Sequence, residues 1–186
     1  MKDAKAVQTP LGQHLKLSHD QSPQTEEDKL EMATIPYANA LSYLRYLMVC
    51  SRPDLAYSVS LVSRFISNPS KAHWFALKWI LRYLKGIKSV GILFRRNKRK
   101  DGCIEGFVNA NYAGDFDRRK STSTFVFTLW GNVVNWKSKL QHMVTLSSTE
   151  SEYVALTKAA KEAKWLKGFV NELELEQGTV VINSDS

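Results

Sequence analysis

The spacing of the apolar residues changes from strand-like to helical at Ser148, and that change limits the fold more than any other feature of the chain. Before it, Thr122–Leu129 and Val133–Lys137 are runs of strand-forming residues separated by the turn Trp130-Gly131-Asn132. After it, Tyr153, Leu156, Ala160, Ala163, Leu166, Phe169, Val170 and Leu173 recur at helical spacing, which predicts a helix from Ser148 to about Glu174. Thr179–Ser184 reads as a final strand, and Val90–Phe94 is expected to pair with Gly102–Ala110 as a hairpin. Three strands, a long helix and a further strand make a mixed sheet covered by helices, an α/β (α+β) class.

The first half reads as helical. Residues 1–35 are irregular, with Thr9-Pro10 and Ser22-Pro23 as breaks. Ala40, Leu41, Leu44 and Leu47 predict a helix from Tyr37 to about Val49. Ser51-Arg52-Pro53 marks a restart, and Leu55, Val59, Val62 and Ile66 share one face of a helix over Pro53–Ile66. After Asn68-Pro69-Ser70, Lys71–Lys85 forms a third helix that is expected to bury Trp74, Leu77, Leu81 and Leu84, with Gly86 as its cap. Arg45 falls on a face that otherwise reads as buried, where a lone cation is costly.

At 186 residues, the chain makes one domain or two small ones. An apolar fraction of 44% excludes a wholly disordered chain. No stretch approaches the ~18 uncharged apolar residues of a membrane span. Met1-Lys2-Asp3-Ala4-Lys5 opens no signal peptide, so a cytoplasmic or nuclear location is expected. Cys50 and Cys103 fit neither a metal site nor a disulfide framework.

The net charge of +8 is concentrated in one block. Residues 71–100 carry 10 basic and no acidic side chains, whereas residues 1–70 carry 7 of each. Such a block attracts polyanions, phosphate backbones first among them. The other reading of Arg95–Lys100 is a solvated loop tip. Lys78, Arg82, Lys85, Arg95, Arg96, Lys98, Arg99 and Lys100 are the candidate phosphate-facing residues. His73 and His142 read as ordinary structural or surface histidines, and Trp74, Trp79, Tyr83, Trp136 and Trp165 fall at core-like spacing.

The topology also brings an Asp or Asn near the first strand, a Glu at the helix start and an Asp at the last strand's end toward one sheet edge. Oxygen ligands of that kind suit pairs of magnesium ions. Equally, Glu150 and Glu152 lie in a first helical turn, where the macrodipole favours carboxylates without any metal. Spacing alone leaves both readings open.

Longer motifs narrow the choice. Arg52-Pro53-Asp54-Leu55-Ala56, Ser63-Arg64-Phe65, His73-Trp74 and Leu81-Arg82-Tyr83-Leu84-Lys85-Gly86 resemble the Pol polyprotein of copia-type LTR retrotransposons, the plant Tnt-like elements above all. Ala113-Gly114-Asp115, Arg118-Arg119-Lys120-Ser121-Thr122-Ser123, Trp136-Lys137-Ser138-Lys139 and Leu146-Ser147-Ser148-Thr149-Glu150-Ser151-Glu152-Tyr153 resemble that family's ribonuclease H domain in order and spacing. The resemblance implies a reverse-transcriptase thumb and connection region over residues 1–98 and a truncated ribonuclease H-like domain over 102–186. It implies RNA–DNA hybrid or other nucleic acid as partner, or the element's own polyprotein, with two Mg2+ ions as cofactor. By the same resemblance the catalytic and metal positions fall on Asn109, Glu152 and Asp185, with a fourth acid, the last strand and the last helix beyond Ser186.

Asn109 stands where the family has its first catalytic aspartate, so both metal sites are expected to be weak or lost and hybrid cleavage with them. No Asp-Asp pair occurs, which argues against polymerase activity. Ser42, Arg45 and Thr124 are further departures and suggest a decaying element copy. Two alternatives stand beside the inactive remnant. One is a host-retained nucleic-acid-binding, regulatory or effector-like protein. The other is a nuclease using Asp115 or Asp117, which read as solvated loop charges.

Overall fold

The computed structural model describes residues 3–12, 14–96, 104–175 and 178–184. The chain forms two compact units, Met1–Gly91 and Ile92–Ser186.

The first unit is helical. Helix α1 (Glu26–Ala33) begins at Thr25, whose hydroxyl accepts the Asp28 N–H at 3.2 Å, and α2 (Tyr37–Cys50) follows. The run predicted as one helix over Pro53–Ile66 is a 3-10 turn at Pro53–Leu55, α3 (Ala56–Val62) and a second 3-10 turn at Ser63–Phe65. Ile66 lies outside it and is exposed. Helix α4 (Lys71–Gly86) opens on a reciprocal cap. The Ser70 hydroxyl accepts the His73 N–H, and His73 Nδ1 accepts the Ser70 N–H at 2.9 Å. Gly86 is the last helical residue rather than the cap, which falls on Ile87.

Leu41, Leu44, Leu55, Val59, Val62, Phe65, Leu77 and Ile80 form the centre of this unit's core. The buried stripe of α4 is His73, Ala76, Leu77 and Ile80, so Trp74, Leu81 and Leu84 lie at the margin. The margin suits large rings that carry cations on their faces, and Lys78 sits over Trp74 at 5.8 Å. Arg45 is exposed, contrary to the expected burial, and its Nε donates to Ser63 Oγ at 3.2 Å. The outer face of α2 also leaves Tyr43, Tyr46 and Val49 in solvent, so apolar sequence overstated its buried arc.

The second unit is a four-stranded mixed sheet in the order β3-β2-β1-β4. Strands β1 (Ile104–Asn111), β2 (Thr122–Leu129) and β3 (Asn132–Leu140) are antiparallel neighbours, and β4 (Val181–Ser184) lies parallel to β1. Trp130 and Gly131 join β2 to β3 with φ of 52° and 77°, the two positive values that a tight hairpin link needs.

The expected hairpin of Val90–Phe94 with β1 does not form, and residues 90–96 carry no strand. Both edges of β1 are already taken, by β2 and β4. Arg95 instead exchanges two hydrogen bonds with the Asn132 side chain, at 2.7 and 3.0 Å.

Helix α5 (Ser148–Glu172) lies over β1 and β2 and buries Ser151, Ala155, Ala159, Ala163, Leu166 and Val170. The predicted stripe is therefore rotated. Tyr153, Ala160, Phe169 and Leu173 are exposed. Small residues let the helix axis approach the sheet, and the bulk beneath it comes from Ile104, Val108, Phe125 and Phe127. Gly106 completes that fit, because a Cβ there would stand 2.5 Å from the Phe127 ring.

Candidate functional site

β1 carries Asn109 into the middle of the sheet edge where β4 stops. Asn109 lies opposite Thr124 of β2, and its neighbour Val108 lies opposite Ser184, the last residue of β4. Two residues beyond Val108, the Ala110 N–H donates to Glu152 Oε1 at 2.9 Å. Glu152 reaches it from the first turns of α5. The second oxygen, Oε2, is buried and has no hydrogen-bond partner among the described residues.

The two acids at the head of α5 thus differ in role. Glu150 is a capping residue. Its N–H donates to Ser147 Oγ at 3.1 Å, and its Oε2 accepts the Leu146 N–H at 2.6 Å. Glu152 belongs to the sheet edge, so the macrodipole does not explain it.

Asp185, Lys98, Arg99, Lys100 and Cys103 lie outside the described residues. Among those described, no group of three His, Cys, Asp or Glu side chains could hold a metal ion. Glu152 Oε2 is one anionic oxygen in want of a partner, but Asn109 offers only a neutral one. Glu152 and Asn109 by themselves do not fit a two-magnesium cage, which needs several anionic oxygens.

Asp115 is buried, not a solvated loop charge. Its N–H donates to the Lys120 carbonyl at 3.0 Å, and its Oδ1 accepts the Asp117 N–H at 3.3 Å, so it organises the turn after β1. Asp117 is exposed. Below that turn lies a polar network that sequence reasoning missed. Ser121 Oγ accepts the Ala113 N–H at 3.0 Å and lies 2.8 Å from Thr145 Oγ1. Gln141 Nε2 donates to Ser123 Oγ and to the Ser151 carbonyl, tying the strands to the start of α5.

The predicted basic residues of α4 have partners inside their own unit. Arg82 Nε donates to the Lys5 carbonyl at 2.7 Å, with its guanidinium 5.1 Å from the Trp79 ring centroid. Lys85 Nζ donates to the Ala4 carbonyl at 2.8 Å, and Trp79 Nε1 to the Thr9 carbonyl at 3.0 Å. These contacts hold the N-terminal segment along α4. Arg95 and Arg96 are exposed beside the Trp130–Asn132 turn, in a shallow cleft with Leu93.

His73 is fully buried and stacks on Phe65, with ring centroids 3.9 Å apart. Since its Nδ1 accepts from Ser70, its Nε2 carries the proton toward the Ser18 carbonyl at 3.1 Å. His142 is exposed. Trp165 is 59% exposed and stacks on Phe169, which corrects its placement in the core.

A third set of cations was missed. Lys137 and Lys139 alternate with Trp136 and Ser138 on β3 and share the face of Asn135. Asn135 Nδ2 donates to Glu162 Oε1 on α5 at 2.7 Å, so that face turns toward the helix. Lys158, one helical turn before Glu162, has a buried Nζ without a hydrogen-bond partner among the described residues. Burial pushes its ammonium below the ordinary lysine range, and Lys139 and Lys137 push it further. The alternation in Trp136-Lys137-Ser138-Lys139 was the available signal.

Among the described residues, no helix is long and apolar enough to cross a membrane. No family model matches the chain, and no solved structure matches it. Curated proteins do. The chain is 49% identical, over its whole length, to the retrovirus-related Pol polyprotein from transposon TNT 1-94 of Nicotiana tabacum, and it spans 14% of that protein. It is 33% identical to the corresponding polyprotein from transposon RE2 of Arabidopsis thaliana, over 95% of this chain and 12% of the relative. A secreted RxLR effector protein 161 of Plasmopara viticola is 46% identical over 73% of this chain and 94% of its own length.

Proposed function

Because the chain belongs to the family of copia-type retrotransposon Pol polyproteins, we propose that its sheet unit is a ribonuclease H-like module that holds an RNA–DNA hybrid without cutting it. One observation carries the reading. Asn109, the residue before the Glu152-bound amide of Ala110, is an exposed neutral side chain where the family has its first catalytic aspartate. A cage for Mg2+ needs anionic oxygen there, whereas holding a hybrid depends on basic side chains that neutralise phosphate.

The fold supports the reading without a further assumption. What supports it is a mixed sheet with a parallel fourth strand and a helix whose Glu152 accepts the Ala110 N–H of β1. The helical unit is then the connection-like segment that precedes such a module, and the element's polyprotein is the context in which both work. The test is retention of a labelled RNA–DNA hybrid on a filter, scored against double-stranded DNA in the same samples. Hybrid retention that falls as salt rises is the expected result. No retention of either duplex would overturn the reading.

The second reading is a small regulatory or effector-like protein with no enzymatic role. It draws on the 94% coverage of the effector-named relative, whose 135 matched residues exceed either unit of this chain taken alone. Loss of hybrid binding in the filter assay would favour it.

A further inference from the structure

Lys137 and Lys139, exposed on the helix-facing side of β3, and Lys158 of α5 gather positive charge on one flank of the sheet unit, the lysine notch. Strand β3 is the sheet's edge, and lysines on an edge strand discourage pairing with other chains. That explains Lys137 and Lys139. It does not explain Lys158, which comes from the helix one turn before the Glu162 that Asn135 engages, and whose Nζ is buried without a hydrogen-bond partner among the described residues. A buried ammonium without a hydrogen bond is expensive, and like charges beside it increase the expense. The nearest acid on that flank, Glu162, is engaged by Asn135.

We propose that Lys137, Lys139 and Lys158 form a backbone-phosphate site for nucleic acid, separate from the basic block of residues 71–100 and from the Asn109–Glu152 edge. A phosphate oxygen supplies the acceptor that Lys158 Nζ lacks and relieves the repulsion among the three cations. The notch is narrow in chemistry, since lysine ammoniums meet phosphate as point charges and read no base. The site therefore adds register and affinity, not sequence preference. This proposal rests on the reading that the sheet unit binds nucleic acid.

The test is fluorescence anisotropy of a labelled RNA–DNA hybrid over a series of salt concentrations, with the full chain. The variant is K137Q/K139Q/K158M, and the control is K161Q/K164Q/K167Q, an equal charge loss on α5 away from the notch. Each lysine that neutralises a phosphate contributes roughly one to the slope of log affinity against log salt. The notch variant is expected to flatten the slope by about two to three and weaken binding at least tenfold more than the control. Thermal denaturation checks that both variants fold. A second reading needs no variant, because added hybrid should raise the pH at which the Lys158 ammonium titrates, followed by NMR at its Cε.

Equal slopes for notch and control variants, with an unmoved Lys158 titration, would overturn the site while leaving hybrid binding intact. Failure of the unaltered chain to bind hybrid at all would overturn the proposed function and the notch together. The two failures are thus told apart by the unaltered chain.

Discussion

The two units differ in their charged groups, although each holds a buried hydroxyl without a hydrogen-bond partner among the described residues, Ser22 Oγ in the helical unit and Thr128 Oγ1 in the sheet unit. In the helical unit, cations are closed into local partnerships. Arg52 makes two hydrogen bonds to Asp54, at 2.9 and 2.6 Å, and lies over Tyr83, while Arg82 and Lys85 grip main-chain carbonyls. His73 has a partner for each ring nitrogen. In the sheet unit, Glu152 Oε2, Gln141 Oε1 and Lys158 Nζ are buried with no hydrogen-bond partner among the described residues. Buried polar atoms are nearly always paired, so each one left over calls for a physical account.

The sharpest way to break this contrast is through the cores, which must be independent of it. Phe127→Ala removes a fully buried ring that packs against Phe125 and closes on Gly106, and is expected to destabilise the sheet unit by about 3–5 kcal/mol. Chemical denaturation followed by circular dichroism measures it. A loss under ~1 kcal/mol would mean that α5 does not seal the sheet as described.

A smaller effect belongs to the helical unit. Burial alone would raise the Asp54 carboxyl, but hydrogen bonds from Arg52 and Tyr83 outweigh it and hold the group below its ordinary range. A depressed carboxyl contributes stability that is present above its unfolded pKa of ~3.9 and disappears as pH falls through the folded value. Asp54→Asn should therefore cost about 1–3 kcal/mol at neutral pH, with the gap to the unaltered chain closing in acid. A gap that stays constant down to low pH would show that the pair is not ionic.

The smallest effect has the opposite sign. Lys158→Met removes an ammonium with no hydrogen bond, and should raise the denaturation midpoint at neutral pH when nucleic acid is absent. The folded chain holds this group below the lysine value, so the penalty is complete below the folded pKa and vanishes as pH rises past the unfolded one. The stabilisation should shrink accordingly in alkaline buffer. Destabilisation by this change would indicate that Lys158 is a structural residue.

Much of the fold was legible because strands and the long helix differ in period. The bounds of β2 and the start of α5 follow from the switch at Ser148 and from the Trp130-Gly131-Asn132 turn, while β3 runs three residues past the expected Lys137. The buried face of α5 was not legible, because Ser151, Ala155, Ala159 and Ala163 owe their burial to small size rather than to strong hydrophobicity. Large exposed residues such as Tyr153 and Phe169 drew the stripe the wrong way. Val90–Phe94 looked like a strand because local propensity carries no information on which sheet edges are free. At the candidate site, Asn109 and Glu152 were proposed through motif order, while Asp115 was misjudged because turn position suggested solvent and its burial depends on the folded loop. The lysine notch joins residues about twenty positions apart on a strand and a helix, a juxtaposition that only the packed sheet produces.

The central claim is that Asn109 separates holding a hybrid from cutting it. The direct measurement is cleavage of a labelled RNA–DNA hybrid, in magnesium and then in manganese, by the unaltered chain and by Asn109→Asp, with bound hybrid scored in the same samples. The account predicts retained hybrid and intact RNA for the unaltered chain in both metals. RNA cut by the unaltered chain would contradict it and make the chain a nuclease.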